Sequence, residues 1–256
     1  MFKIATRPLT SLALAAPLMV AAGFPLIAHA DVVGGEVSVS YWGAGYGGDV
    51  TDRTSKDTID LEKDLKLDDG GFVEFSASLE HPIPILPNLK ISHIGLDESA
   101  DGTITADFDG VSFTGDVATT LDLTHTAAVL YYEVLDNVVS LDLGLEARMF
   151  DGKLRIEEKG GSNSISDTKI DDTLPLVYVS ADVELPFTGL TVGAEISGIS
   201  YSGDKIMDAK AALRYGVGLF FVEGGYRTMN IKVDDVSGID VDADLSGAFI
   251  STGLDF

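Results

Sequence analysis

The sequence predicts an all-β fold, a transmembrane antiparallel up-and-down β-barrel of about ten strands, with eight and twelve as the neighbouring even counts. Three observations carry this reading. Apolar residues recur at every second position through most of the chain, the pattern of a strand with two unlike faces. Long and short connections alternate between those runs. The final run ends the chain on an aromatic residue, Phe256. Composition agrees: 45% of the 256 residues are hydrophobic, with 28 glycines and 8 prolines. Such a chain is too apolar for a disordered acidic tail, and its glycine suits bulges and tight turns.

Residues 1–30 read as a cleaved secretory signal. Lys3 and Arg7 precede an apolar run from Leu9 to Ile27, which Pro17, Gly23 and Pro25 interrupt, and Ala28-His29-Ala30 forms a small-x-small cleavage site before Asp31. Beyond Ala30 no run approaches the 18 or so apolar residues of a spanning helix. Residues 31–256 are therefore expected to form an exported barrel without helical spans, located in the cell outer membrane of a Gram-negative bacterium.

Ten strands follow in order, at about 36–46, 71–80, 89–97, 117–132, 138–150, 173–185, 189–201, 208–218, 220–232 and 243–256. The fifth is the clearest. Val139, Leu141, Leu143, Leu145, Ala147 and Met149 alternate with Ser140, Asp142, Gly144, Glu146 and Arg148. The fourth sets Leu121, Leu123, Ala127, Val129 and Tyr131 against Asp122, Thr124, Thr126 and Tyr132. The seventh and eighth repeat the pattern around Leu190–Ile196 and Ala211–Val217. Several runs reach the roughly 9–11 residues that cross a bilayer when tilted. A soluble sandwich also alternates, but usually with shorter strands. Long connections fall at 47–70, 98–116 and 151–172, with shorter ones on the same side at 202–207 and 233–242. Tight ones fall at 81–88, 133–137, 186–188 and Leu219. An even strand count puts both termini at the tight-turn end, expected to be periplasmic. Thr103–Ala106 and Val111–Thr114, around Asp109-Gly110, are expected to form a hairpin inside an external loop.

In the last strand Ala248, Ile250, Thr252, Leu254 and Phe256 share one face. This resembles the C-terminal strand by which bacterial outer-membrane proteins are recognised by the barrel-assembly machinery, and the resemblance assigns that signal to Phe256, Leu254 and Ile250. Aromatic residues near strand ends suggest two interfacial girdles: Tyr131, Tyr132, Phe187, Phe220, Phe221 and Phe256 on the turn side, Trp42, Tyr46, Phe150 and Tyr201 on the loop side. The stretch Ile59–Asp69, the block Glu80-His81-Pro82-Ile83-Pro84-Ile85-Leu86-Pro87-Asn88, the run Leu130–Asn137 and Gly224-Gly225-Tyr226-Arg227 together resemble an uncharacterised family of proteobacterial outer-membrane β-barrel proteins. The resemblance implies a barrel and an outer-membrane location, and no activity.

Charge narrows the function classes. The chain carries 41 acidic and 17 basic side chains, a net charge of −24, which excludes a nucleic-acid partner because such binding rests on Lys and Arg neutralising phosphates. The absence of cysteine excludes a disulfide scaffold, a thiolate zinc site and a thiol nucleophile. Alternation points Glu74, Asp122, Asp142, Glu146, Asp182, Glu195 and Glu223 inward, with Arg148, Lys210, Arg214 and Arg227. A narrow barrel should be filled by such side chains, and buried charges must pair, so a structural ion-pair network in the lumen is expected. A narrow channel or a binder of small polar or cationic solutes is the alternative.

Catalysis is not expected. His81 lies in the proline turn, and His93 and His125 are expected to face lipid. Ser92 next to His93, and Thr124 and Thr126 next to His125, fall on opposite strand faces, so no nucleophile–base pair is apparent. The acidic clusters at 97–116 and 234–244 lack the Asp-x-Asp-x-Asp-Gly spacing of a calcium loop, and no cofactor is expected. The remaining expected partners are outer-membrane lipid and lipopolysaccharide. The expected role is non-enzymatic, structural or surface-related, with a lipid- or peptide-modifying enzyme as the third reading.

Overall fold

In the computed structural model, residues 33–160, 164–236 and 238–256 are described. The signal expected at 1–30 lies outside them. Every regular element among the described residues is a strand: β1 (Gly34–Asp52), β2 (Thr58–Asp60), β3 (Gly70–Glu80), β4 (Asn88–Gly95), β5 (Asp97–Phe108), β6 (Val111–Asp122), β7 (His125–Leu135), β8 (Val139–Phe150), β9 (Gly152–Glu158), β10 (Ile165–Ile170), β11 (Thr173–Leu185), β12 (Leu190–Tyr201), β13 (Asp204–Val217), β14 (Phe220–Val236) and β15 (Ile239–Asp255). Ten of them, β1, β3, β4, β7, β8 and β11 to β15, pair antiparallel in sequence order, and β15 returns to β1 to close a barrel. Closure leaves the barrel itself no unpaired edge. At the turn end the seam is finished by Gly35 N–H donating to the Phe256 carbonyl (2.7 Å) and Phe256 N–H donating back (2.9 Å).

Period two explains the outside of the wall. Leu143, Leu145, Val177, Val192, Leu213, Val222, Tyr226 and Ile250 all point outward and are exposed, Leu145 to 68%. Ile250, Leu254 and Phe256 share this outer face, as expected from the sequence.

The expected fourth strand, 117–132, is instead two strands of different sheets. Its first half belongs to β6 and its second to β7. Asp122 accepts the Thr124 N–H at 2.9 Å, and the Thr124 hydroxyl accepts the Leu96 N–H at 3.1 Å, so hydrogen bonds within the 122–124 turn redirect the chain. The expected 103–114 hairpin does form, but its strands run the full length of β5 and β6. Asp109 (φ 53°) and Gly110 (φ 73°) make the turn, the Asp-Gly pair that a two-residue hairpin with positive φ favours.

β5 and β6 join β9 and β10 in a second sheet, ordered β10-β9-β6-β5, above the loop end of the barrel. Facing it is a continuation of the barrel wall. β1 pairs with β3 only as far as Ala44 but with β15 as far as Asp52, and β2 extends this wall at its edge. The free edge of β5 is held by the 53–69 segment: the Asp64 carbonyl accepts the Thr103 N–H (3.0 Å), and the Asp57 carboxylate accepts that of Asp107 (2.7 Å). A Cβ on Gly102 would lie 2.1 Å from the Asp64 carbonyl oxygen, so only glycine permits this approach. Between the two sheets lies an apolar core that includes Leu61, Leu65, Leu67, Phe108, Phe113, Val117, Ile156 and Leu245, and it continues down into the barrel mouth through Trp42, Phe72, Ile94, Leu176 and Met229. The loop end therefore carries a folded β-sandwich head.

Candidate functional site

Following each barrel strand inward from head to turns gives one repeated order of side chains. On β3 the inward positions are Phe72, Glu74, Ser76, Ser78 and Glu80. On β1 they are Trp42, Ser40, Ser38 and Glu36, and on β14 Met229, Arg227, Gly225 and Glu223. An apolar level, a charged level and a level of small polar residues are thus stacked along the lumen.

The charged level is a continuous chain. Arg148 donates to Glu146 (2.6 Å) and to Asp208 (3.0 Å). Arg227 grips Asp208 through Nε (3.0 Å) and Nη2 (2.8 Å), and its Nη1 donates to Glu74 (2.8 Å). Lys210 completes Glu74 at 2.9 Å. Glu146 is held further by the Ser197 hydroxyl, and Lys90 pairs with Glu195, which also accepts the Tyr178 hydroxyl at 3.2 Å. Trp42 lies over the Arg227 guanidinium, 4.7 Å from it. The Trp42 indole N–H donates to the Gly247 carbonyl (3.2 Å), so the apolar and charged levels meet at this residue. Each of the four carboxylates in this network, Glu74, Glu146, Glu195 and Asp208, has at least one cation, the condition under which buried charge is tolerated. On its head side this level meets the apolar side chains of the barrel mouth, Trp42, Phe72, Ile94, Leu176 and Met229.

Below it the lumen opens into a cavity of about 780 Å³. Its wall carries Ser38, Ser40, Ser76, Ser78, Ser140 and Ser180, and its rim includes the turn residues Pro186, Phe187 and Gly218. Arg214 spans this level, donating to Glu36 (2.7 Å) and Glu223 (3.1 Å) and stacking on Phe221 at 3.9 Å.

Of the eleven charged residues assigned to the lumen from sequence, ten line it. Glu74, Glu146, Arg148, Glu195, Lys210, Arg214, Glu223 and Arg227 are in ion pairs. Asp142 and Asp182 face the cavity with no cation in ion-pair contact among the described residues. Asp122 is the exception. It sits at the end of β6 in the head sheet, opposite Asp97 and Lys153, because the strand to which it was assigned breaks after it. The faces of β7 are also the opposite of those expected. Val129 and Tyr131 are buried inside while Leu130 and Tyr132 are exposed outside, so His125 also points inward rather than to lipid. Its Nδ1 meets the Leu123 carbonyl oxygen at 2.8 Å, and its ring packs on Phe150 at 5.0 Å. His93 is on the outer face, as expected, paired with Thr126 at 3.0 Å. His81 accepts the Ile83 N–H at 3.2 Å and so closes the proline turn. Of the expected girdle aromatics, Trp42, Tyr46, Tyr131, Phe150 and Phe221 are instead inside. Tyr132, Tyr201, Phe187, Phe220 and Phe256 are outside.

Sequence reasoning missed Asp208, Lys90 and Glu36. Asp208 shares parity with Lys210 and Arg214, which were assigned inward, while Lys90 shares the inner face of β4 with Ser92 and Glu36 that of β1 with Ser38. All three lay at the ends of the expected strands, where alternation has too few positions to be read.

No protein-family model and no characterised protein matches the sequence. Among solved structures, the outer membrane protease OmpT from Escherichia coli is similar over 88% of this chain and 97% of its own, at 8% identity and a TM-score of 0.53. The translocator domain of the autotransporter NalP from Neisseria meningitidis matches over 89% of this chain and 90% of its own, at 12% identity and a TM-score of 0.44. The likeness to OmpT is one of fold alone, and it agrees with the strand order and closure described above: the chain has the ten-stranded antiparallel barrel fold of outer-membrane proteins.

Proposed function

We propose that the protein is an integral outer-membrane barrel with a non-enzymatic structural or surface role, its tight turns in the periplasm and its sandwich head displayed at the cell surface. The observation that carries this is the outer wall. Large apolar side chains stand exposed around every barrel strand, far beyond the few hundred Å² that a soluble monomer shows in one patch. Hydrocarbon is the solvent that suits them, and the lumen charges are paired or kept on the inner face, away from it. Lipid and lipopolysaccharide are then its standing neighbours. The strand ending Ile250, Leu254 and Phe256 is its signal to the barrel-assembly machinery. Lumen closure by the ion-pair chain and the apolar level supports a barrel that does not conduct.

Cysteine scanning along β8 tests this, because the native chain has no cysteine. In outer-membrane vesicles, cysteines at 141, 143 and 145 should react with a lipid-phase reagent, while cysteines at 140 and 142 should not. Aqueous labelling of both sets would mean a soluble β-protein.

A further inference from the structure

The cavity below the ion pairs has no structural explanation. Inward positions of the same strands hold Trp42, Phe72 and Met229 nearer the head, so the barrel has room for large side chains and uses them there. Toward the turns those positions change to serine and glycine, and a space of about 780 Å³ is left, within the roughly 300–1,000 Å³ range of small-ligand sites. The space thus follows in part from small residues at inward positions, and turn residues Pro186, Phe187 and Gly218 stand at its rim.

Charge indicates what would enter. The charged level is balanced, since Glu74, Glu146, Glu195 and Asp208 meet Lys90, Arg148, Lys210 and Arg227. Arg214 is occupied by Glu36 and Glu223. Further carboxylates line the cavity, and Glu80, Asp142 and Asp182 among them are in no ion pair among the described residues. Glu80 accepts the Tyr131 hydroxyl at 2.9 Å, and Asp182 the Ser180 hydroxyl at 3.2 Å. Asp142 Oδ1 is buried and has no hydrogen-bond partner among the described residues. Asp142 lies opposite Ser180 and Asp182 opposite Ser140, which makes the two carboxylates diagonal neighbours on β8 and β11. Beside them Gly193 opens the wall, since a Cβ there would fall 2.0 Å from Asp182 Oδ1. A buried acceptor without a donor is costly, and this one sits where carboxylates outnumber cations in a low-dielectric wall.

We propose that this cavity is a binding site for small organic polycations with primary ammonium groups, the polyamine class, admitted from the turn end. Ammonium groups supply the positive charge that Asp142, Asp182 and Glu80 lack among the described residues, the serine hydroxyls accept ammonium N–H groups, and a flexible aliphatic chain fits the narrow bore. An anion would be repelled by the same carboxylates, and an apolar ligand would desolvate them without compensation. The inference goes beyond the structural role and does not depend on which membrane holds the barrel, so it is tested in detergent.

Isothermal titration of the full processed barrel with spermidine, at moderate salt to suppress diffuse attraction, should give saturable binding. The Asp142→Asn/Asp182→Asn double variant should bind at least about tenfold more weakly, roughly 1.4 kcal/mol. A control of equal charge change in the head, Asp97→Asn/Asp101→Asn, should stay within twofold. Ser140→Phe, which fills the space without altering charge, should also lose binding, and heat-modifiable gel mobility verifies that each variant is folded. Absence of saturable binding would overturn the proposal. So would equal losses in the cavity and head variants, which would mean counterion attraction to an acidic chain. Unchanged affinity in Ser140→Phe would remove the cavity from the account. Tighter binding of a lysine-rich peptide, lost in the same double variant, would replace the small polycation with a peptide.

Discussion

The two ends of the lumen are built from the same ten strands and solved in opposite ways. Toward the loops the inward positions are Trp42, Phe72, Ile94, Leu176 and Met229, continuous with the core of the head. Toward the turns they are Ser38, Ser40, Ser76, Ser78, Ser140 and Ser180 around open space. The loop end gains the free energy of apolar burial and close packing. The turn end forgoes it. Between them the chain Glu146–Arg148–Asp208–Arg227–Glu74–Lys210 is the boundary, covered by Trp42 on its head side and bordered by the cavity on the other. A barrel therefore does not need a filled lumen throughout, because hydrogen bonds around a closed sheet already satisfy its backbone. What is packed and what is left open is a separate choice made by the inward parity.

The sharpest way to break this comparison is at its boundary. Arg227→Met leaves Asp208 with Arg148 alone and Glu74 with Lys210 alone, so the buried network carries one uncompensated negative charge, and it should cost about 3–5 kcal/mol in denaturant unfolding. Glu223→Gln, at the open end, leaves Arg214 paired with Glu36 and should cost under about 1 kcal/mol. Equal effects would erase the distinction between the levels.

Within a single strand the contrast becomes Phe72→Ala against Ser76→Ala. Phe72 is packed edge-on to Trp42 and Tyr46, with ring centroids 6.1 Å away in each case. Truncating it should cost about 3–5 kcal/mol, as large-to-small core changes do. Ser76 faces the cavity, and its replacement should stay within about 0.5 kcal/mol. The measurement is again the unfolding midpoint at constant slope.

The outer wall gives the next largest effect. Leu143→Arg near mid-barrel should cost about 2–4 kcal/mol for the folded barrel in lipid, where a cation loses its water. Asp142→Asn, its neighbour on the inner face, should be tolerated, because that carboxylate has an oxygen with no partner to lose. Deleting Phe256 should lower the yield of heat-modifiable barrel in the outer membrane, and unchanged yield would remove this residue from the assembly signal.

The smallest effect expected is a pH dependence confined to the head. Asp52, in the part of β1 beyond the barrel mouth, accepts N–H groups from Ser55 (2.9 Å), Thr54 (2.7 Å) and Asp109 (3.0 Å). Donation from Ser55 first, and from Thr54 and Asp109 with it, holds the carboxyl below the usual aspartate range against the opposing effect of burial. Its folded value is thus below its unfolded one, near 3.9. The stability it contributes is full above that unfolded value and is lost as pH falls through the folded one. Protease sensitivity of the head should therefore rise below about pH 4. Asp52→Asn should flatten that rise and leave the barrel's gel mobility unchanged.

Nine of the ten spanning strands, the closing aromatic strand and ten of eleven lumen charges were legible from alternation, because a wall with oil on one side and a lumen on the other enforces strict parity along each strand. The break at Asp122–Thr124 was not legible. Leu121 and Leu123 keep the apolar parity of Ala127 and Val129 straight through it, so period two runs unbroken while the chain passes from the head sheet to the barrel. Parity also assigns a side chain to one of two faces without saying what that face meets. Leu121 faces the head core and Val129 the lumen, whereas both read as lipid-facing. The sequence by itself determined the class, the closure and most of the charges that lie inside. Which aromatics turn inward, that the loops fold into a head, and that the lumen holds an apolar cluster at one end and a cavity at the other were decided by tertiary structure. These outcomes depend on contacts between β5, β6, β9 and the extended β1–β15 wall, whose residues are far apart in the chain and share no local pattern.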